Sequence, residues 1–102
     1  MDRDIFAGLI KLHILYHASK EKIFGFWIIE ELRRHGYELS PGTLYPMLHR
    51  MEKKGYLKSE KEIVNGKIRR VYSITGPGME MLTEAKSKVR ELFGELFEND
   101  GV

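Results

Sequence analysis

The 102-residue sequence predicts a mainly α-helical fold with a small β-hairpin, arranged as a winged helix-turn-helix followed by a long last helix. Three observations support this prediction. A helix with a strong start signal at Ser40-Pro41 ends at Gly55. Two β-prone runs flank an Asn65-Gly66 turn. Apolar residues then recur every three or four positions from Leu82 to Leu96, which indicates an amphipathic helix.

The first predicted helix covers residues 4–17. Its apolar residues adjoin one another on every turn, which indicates burial over a wide arc. They are Ile5, Phe6, Leu9, Ile10, Leu12, Ile14 and Tyr16. A buried strand is the alternative for the second half of this segment, but its length favours a helix.

His13 and His17 lie four residues apart and would project from one face of this helix, a spacing that can bind zinc. A further ligand is not evident nearby, apart from Glu21 across an expected loop. The sequence therefore predicts no metal site and no cofactor.

Residues 18–24 are predicted to form a connection, and a second helix follows over residues 25–36. Phe26, Ile29 and Leu32 fall at helical spacing and are expected to face the core. Gly36 suits the left-handed residue that ends many helices. Trp27 is expected in the core, with ligand stacking as the alternative.

The third helix begins with Ser40 as N-cap and Pro41 at its first position. Its inward stripe consists of Leu44, Leu48 and Met51, with Met47 beside them. Pro46 allows two interpretations. If the helix begins at Pro41, this proline removes one backbone hydrogen bond near the second turn, whereas a start near Thr43 makes it almost harmless.

The hairpin is predicted from Asn65-Gly66, because both residues of a two-residue hairpin turn adopt positive φ. Side chains alternate between the two faces of a strand. Arg69 and Arg70 must therefore point to opposite sides, so at most one of them can face a groove squarely.

The last helix is expected from about Pro77 to Phe97, roughly 30 Å long. A three-helix core is too small to bury its whole apolar seam, so we expect the helix to pair two copies of the chain, in preference to packing only on the first helix. The expected dimer interface is Leu82, Ala85, Val89, Leu92, Phe93, Leu96 and Phe97. The predicted units are thus a winged helix-turn-helix over 1–76, and a dimerisation helix with a frayed tail over 77–102.

Positive charge is concentrated in the third helix and the hairpin. Residues 41–75 carry eight basic and three acidic side chains, whereas residues 1–40 are balanced and residues 76–102 carry three basic and six acidic ones. A basic helix beside a basic hairpin can hold the phosphates of double-stranded DNA. A solvated surface is the alternative reading of this charge.

The candidate DNA-binding residues lie at the start of the third helix, along its outer face and in the hairpin. They are Ser40, Pro41, Gly42, Thr43, Tyr45, His49, Arg50, Lys53, Asn65, Gly66, Lys67, Arg69 and Arg70. For Tyr45 the alternative is packing against the hairpin.

Other classes of protein are disfavoured. The chain contains no cysteine, which excludes disulfides and thiolate metal sites. The start of the sequence is charged, and no apolar run approaches the roughly 20 residues that span a bilayer, so we expect a soluble cytoplasmic protein without membrane contact. The sequence shows no nucleophile–base constellation and no phosphate-binding loop, so an enzyme is not expected. A winged-helix interaction module that does not read DNA is the remaining alternative.

Four segments of the chain together form a specific pattern: residues 40–48 (SPGTLYPML), Arg50-Met51-Glu52, Gly55-Tyr56-Leu57, and residues 69–75 (RRVYSIT) with Gly78. In these segments the sequence resembles the PadR family of transcriptional regulators. Phe24-Gly25-Phe26 stands where the family often has His-Gly-Tyr.

This resemblance implies a dimeric winged-helix repressor that binds a palindromic operator and dimerises through its last and first helices. Several members bind flat aromatic or hydrophobic ligands at the dimer interface, in some cases between tryptophans of the last helix. The last helix of this chain has no tryptophan, and Phe93 and Phe97 are the nearest substitutes.

Overall fold

A computed structural model describes residues 1–98 of the chain, and its architecture confirms the predicted fold class. Four helices accompany a small antiparallel sheet. In chain order the elements are α1 (Arg3–Lys20), β1 (Ile23–Phe24), α2 (Gly25–Arg34), α3 (Pro41–Lys53), β2 (Leu57–Val64), β3 (Lys67–Ile74) and α4 (Gly76–Phe93), which continues as a π-helical turn over Gly94–Glu98. The expected frayed tail lies, beyond Glu98, outside the described residues.

The predicted connection over 18–24 is wrong. Helix α1 continues to Lys20, and Ile23 and Phe24 form a short strand opposite Tyr72 and Val71 of β3. The sheet therefore has three strands in the order β1-β3-β2. Two residues are too few to show a strand periodicity, and the partner strand lies far away in sequence, so local pattern could not reveal β1.

The hairpin itself is confirmed. Asn65 and Gly66 adopt φ angles of 52° and 78°, so both residues occupy the left-handed region that the turn requires. This turn sets the register of β2 and β3, which places Ile63 opposite Ile68 and Lys61 opposite Arg70.

One apolar core joins all the helices to the sheet. Its buried members come from one stripe of each helix and from the inner residues of the strands. They are Ile10, Ile14, Leu15, Ala18, Ile23, Ile28, Ile29, Leu32, Leu39, Leu44, Met47, Leu48, Met51, Leu57, Tyr72 and Leu82. All four residues predicted to face inward on α3 belong to this core.

Two of the predicted inward faces are narrower than expected. On α1, Ile5, Leu9 and Tyr16 are largely exposed, so the helix is not buried over a wide arc. On α2, Phe26 is 69% exposed, whereas Ile28 beside it is fully buried. Periodicity marks an apolar arc but does not show which part of that arc meets the neighbouring element. Trp27 is partly buried against the core.

Helix α3 begins at Pro41, so Pro46 lies inside it. Ser40 occupies the N-cap position, but its hydroxyl donates to Oγ1 of Thr43 at 3.3 Å and accepts no backbone N–H. At the other end, Gly55 has a φ of +89°, and the amides of Gly55 and Tyr56 bond to the carbonyls of Glu52 and Met51. The predicted stop at Gly55 is therefore confirmed, because only glycine adopts this φ without strain.

Thr75 joins the end of α3 to the start of α4. Its hydroxyl donates to the carbonyl of Gly55 at 2.5 Å and accepts the amide of Gly78 at 3.0 Å. Its own amide bonds to the carbonyl of Tyr56 at 3.1 Å. A Cβ on Gly78 would overlap the Tyr56 carbonyl oxygen and the side chain of Ile74. Helix α3, the hairpin and α4 therefore meet at closely packed backbone.

Helix α4 leaves the core soon after it begins. Leu82 is buried within the chain, but Leu92, Phe93, Leu96 and Phe97 are each more than half exposed. The structure extends over 58 × 29 × 20 Å with a radius of gyration of 15.1 Å, against about 13 Å for a compact chain of this length. Residues 83–98 therefore project as an amphipathic arm. None of the helices within residues 1–98 is long and apolar enough to cross a bilayer.

We predict that Gly78→Ala destabilises the protein by about 1–3 kcal/mol, because the added methyl meets backbone that cannot move aside. Gly76→Ala is the matched control, since a Cβ there has no heavy atom within 4 Å among the described residues. Urea unfolding at a single protein concentration measures both variants. Equal free energies of unfolding for the two variants would contradict the close approach.

Candidate nucleic-acid interface

The outer face of α3 is open to solvent. Tyr45 is 45% exposed, and His49, Arg50 and Lys53 are exposed along the same helix, while the opposite stripe is buried. The core therefore holds α3 rigidly from behind and leaves a polar and basic face free. A helix presented in this way has the dimensions to enter the major groove of DNA.

The N-terminus of α3 forms a polar corner. The amides of Thr43 and Leu44 both bond to the carbonyl of Ser40, and the Ser40 and Thr43 hydroxyls lie together. Nη1 of Arg3 donates to Oγ1 of Thr43 at 2.6 Å. A helix N-terminus attracts anions, and the Arg3 guanidinium adds a full positive charge there.

Tyr45 packs against α2. A Cβ on Gly25 would overlap the Tyr45 ring and hydroxyl, so the side chain lies directly on the first turn of α2. The absence of a side chain at Gly25 thus makes room for the ring. Tyr45 remains half-exposed and oriented by this contact.

The hairpin has two chemically different faces. Leu57 and Tyr72 belong to the face that packs on the core, and Lys61 and Arg70 continue this face toward the tip as an exposed cross-strand pair. Like charges directly opposite each other are destabilising, so this pair presents positive potential that a phosphate would neutralise. Ile63 and Ile68 lie beyond them, 76% and 70% exposed.

A hydrogen-bond chain connects this face to α3. The Glu52 carboxylate accepts from the amide and the hydroxyl of Ser59, at 3.1 and 2.6 Å, and Arg70 donates to the same hydroxyl at 3.0 Å. Glu52 lies on α3, so Lys61 and Arg70 are on the side of the hairpin that contacts α3. The helix and these two cations therefore form one continuous surface.

The opposite face is largely neutralised within the chain. The Arg69 guanidinium stacks on the ring of Phe24 at 4.2 Å from the centroid. Lys22 pairs with Glu60 and Glu62 at 2.8 and 2.9 Å, and these hydrogen bonds hold the pKa of the Glu60 carboxyl below its usual value. As predicted, Arg69 and Arg70 lie on opposite faces. Arg70 is the one beside α3.

The basic side chains on and beside α3 are not paired with carboxylates in the described part of the chain. Among residues 1–98, Arg50, Lys53 and Lys61 form no salt bridge. Asn65, Gly66 and Lys67 are exposed at the tip of the hairpin. The structure thus leaves the predicted helix residues and the hairpin tip exposed, with Arg70 on the face toward α3 and with Lys67 and Arg69 on the opposite face of β3.

Sequence reasoning missed three contributors to this surface. Arg3 reaches α3 from 40 positions away in the chain, and no local pattern marks such a contact. Lys61 could be recognised only from its pairing with Arg70, which depends on the register. Glu52 reads as an ordinary exposed carboxylate until Ser59 is placed beside it.

A second surface is apolar. A groove of about 610 Å³ lies between α1 and the arm of α4. Its lining residues are Leu9, Leu12, His13, Tyr16, His17, His35, Leu82, Lys86, Val89, Arg90 and Phe93. Apolar side chains of both helices, among them Leu9, Val89 and Phe93, remain exposed along this groove.

The sequence matches the model of the transcriptional regulator PadR-like family over residues 14–84, more than half of the chain. It is also 47% identical over 94 residues to the transcriptional regulator Rv3488 of Mycobacterium tuberculosis, covering 92% of this chain and 88% of that protein. These matches identify a transcriptional regulator and not an enzyme.

Solved structures agree with the sequence matches. A PadR-like transcriptional regulator from Bacillus cereus superposes with a TM-score of 0.88 at 28% identity, covering 97% of this chain and 98% of that chain. A PadR family regulator from Eggerthella lenta gives a TM-score of 0.82 at 25% identity, covering 97% and 88%. With the helix-turn-helix, its basic wing and the projecting α4 in place, this chain belongs to the PadR-like family of transcriptional regulators.

Proposed function

We propose that the protein is a homodimeric repressor that binds a palindromic operator and is released from it by a small aromatic or hydrophobic effector. The observation that carries this proposal is the continuous surface of α3 and the wing cations Lys61 and Arg70. It lies on a chain whose apolar arm is left uncovered. We infer that residues 1–76 bind DNA, that residues 77–102 pair the subunits, and that the regulator acts in the cytoplasm, beside the DNA it controls.

In this proposal α3 enters the major groove. Tyr45, His49 and Arg50 lie on its free face, where hydrogen bonds to base edges carry sequence specificity. The polar corner at Ser40–Thr43, together with Arg3, binds a phosphate of the DNA backbone at the edge of the major groove. Lys53, at the other end of the helix, binds a second phosphate.

The β2–β3 hairpin forms the wing of the fold and acts as an electrostatic clamp on the DNA backbone. Lys61 and Arg70 face the same side as α3, and Asn65, Gly66 and Lys67 extend the hairpin toward the backbone or the adjacent groove. Phosphate contacts of this kind fix the position of a protein on the duplex and carry little sequence information. Arg69 supports the wing through Phe24 and reaches DNA only from the edge of the ribbon.

Dimerisation places two copies of α3 on one duplex. The exposed apolar residues of α4, with Ala85 and Val89 nearer the core, supply a self-complementary seam. Leu82 is already covered within the chain and contributes only the base of that seam. A two-fold dimer predicts operator half-sites about 34 Å apart, one helical turn of DNA.

The groove between α1 and α4 is the proposed effector site. Its apolar walls suit a flat hydrophobic molecule, and the arm of α4 on one side is the element that pairs the subunits. A ligand bound there would change the angle between α4 and the rest of the chain. The spacing of the two recognition helices would then no longer match the operator.

The first test identifies the operator and the helix that reads it. Genomic fragments retained by the purified protein are sequenced, and the enriched fragment is used in a gel shift. Arg50→Ala combined with Lys67→Ala should weaken binding by at least tenfold, because a base or phosphate contact of α3 and a phosphate contact of the wing are both lost. Unchanged affinity of the double variant would refute the assignment of these residues.

A second prediction concerns the face of the wing. Lys61→Ala should weaken operator binding and reduce the slope of log affinity against log salt by about 1, because one phosphate contact is lost. Lys58→Ala is the matched control, since it removes the same charge from the same strand on the opposite face. Equal salt slopes for the two variants, measured by fluorescence anisotropy, would show that the α3-facing side of the wing does not bind phosphate.

A third prediction concerns the arm. The double variant Leu92→Gln with Leu96→Gln should sediment as a monomer and lose most of its operator affinity, because two exposed apolar residues of the seam become polar. Glu91→Gln with Glu95→Gln is the control on the same helix, two exposed positions outside the seam. Sedimentation velocity measures both proteins, and a dimeric Leu92/Leu96 variant would exclude α4 as the main contact.

A further inference from the structure

Three histidines from separate parts of the chain converge beside the groove. His13 and His17 lie one turn apart on α1, and His35 follows the last residue of α2. The ring centroids of His13 and His35 are 4.6 Å apart, and those of His13 and His17 are 6.3 Å apart. One ring nitrogen from each of the three histidines lies within 4.8 Å of the others.

Glu31 adds a carboxylate to this cluster. It lies one turn before His35 on α2, and its Oε1 is 3.3 Å from Nε2 of His35 and 3.8 Å from Nε2 of His17. Its other oxygen, Oε2, is 3.4 Å from Nη2 of Arg34. The Glu31 side chain is only 16% exposed, so it is held in place and not free in solvent.

This set of groups has the chemistry of a transition-metal site. Three imidazoles and a carboxylate are ligands that Zn²⁺ binds at about 2.0–2.2 Å in a tetrahedron, which places any two ligand atoms about 3–4 Å apart. The separations from Glu31 to His17 and His35 already fall in this range. The histidine ring nitrogens lie up to 4.8 Å from one another. Small rotations of the rings, which are half-buried or exposed, would bring these nitrogens to the separation of about 3–4 Å in a tetrahedral site.

A plain ion-pair cluster explains the arrangement less well. The Glu31 carboxylate contacts two of the three imidazoles, and protonated rings this close to one another would repel each other. Metal ions bind histidine through the lone pair of a neutral imidazole, and the three ring nitrogens lie close enough together to face a single ion.

We propose that His13, His17, His35 and Glu31 bind a divalent transition-metal ion of the Zn²⁺ class. The site joins α1 to the end of α2, and His35 directly precedes the short link that leads to α3. All three histidines also line the groove against α4. Metal binding would therefore fix α1 relative to the helix-turn-helix at the base of the arm.

The regulatory consequence rests on the proposed function. If α3 reads the operator and α4 pairs the subunits, then the metal stiffens the connection between the two. We expect zinc to change operator affinity by at least threefold. The metal site itself is independent of DNA binding, so the two can be tested separately.

The experiment titrates Zn²⁺ into the full chain, free of any affinity tag, by isothermal calorimetry. One ion per chain is the expected stoichiometry. His17→Gln and His35→Gln should each weaken zinc binding by about 100-fold, and Glu31→Gln by about tenfold, as expected when ligands or their partners are lost. His49→Gln is the matched control for zinc binding, because it alters the fourth histidine of the chain, which lies on α3.

Two further readouts keep the test decisive. Co²⁺ in place of Zn²⁺ should give the visible absorption of a tetrahedral site in the parent protein and in His49→Gln, but not in His35→Gln. His35 is exposed, so His35→Gln should retain the helical circular dichroism of the parent without metal. Trp27 is the single tryptophan of the chain, and its ring lies 5.4 Å from that of His17, so its fluorescence should change as zinc binds.

The proposal is overturned if the parent chain binds no zinc, or if His49→Gln weakens zinc binding as much as His35→Gln does. If the protein binds zinc but enriches no operator fragment from genomic DNA, the metal site stands and the proposed function is refuted. Operator binding that is identical with and without bound zinc would remove the regulatory link.

Discussion

The junction at Thr75 determines how the working parts of this chain are placed. The Thr75 hydroxyl donates to the Gly55 carbonyl, just after the end of α3, and accepts the amide of Gly78 in the first turn of α4, while the lack of a side chain at Gly78 allows the backbone of Tyr56 to approach. The hairpin leaves and returns at the same point, since Leu57 pairs with Ile74. Helix α3, the hairpin and the arm of α4 therefore diverge from one tightly packed site. Their relative angles follow from hydrogen bonds that leave little freedom.

Beyond this junction, the charged and the apolar side chains lie on different surfaces of the molecule. Cations are gathered on the side of α3 and the adjoining face of the wing, where Glu52 and Ser59 orient Arg70. The other wing face is balanced by Lys22 and its two glutamates. Apolar side chains that the core does not use are left along α4. In the proposed dimer, this division would hold a polyanion and a second subunit at different surfaces.

The histidine cluster lies between these two surfaces. His13 and His17 belong to the helix that faces the arm, and His35 belongs to the segment that leads to α3. A ligand at this position contacts both parts of the molecule at once. The groove and the cluster are neighbours, so a hydrophobic effector and a metal ion would act on the same connection between dimerisation and DNA reading.

Much of the fold could be predicted from the sequence, because the information is local. The Ser40-Pro41 start, the glycine at position 55 and the Asn65-Gly66 turn each depend on the backbone preference of one or two residues. The inward stripe of α3 depends only on helical spacing. The opposite placement of Arg69 and Arg70 follows from the alternation of a strand.

The tertiary structure decided the contacts between residues that are distant in sequence. Arg3 beside Thr43, Lys61 beside Arg70 and His35 beside His13 are all contacts between different elements. The exposure of Phe26 was decided in the same way. The sequence by itself determined the four helices and the hairpin and which of them are basic, but not strand β1, because propensity and periodicity act over a few residues. Which side chains share a surface was determined only when packing brought those elements together.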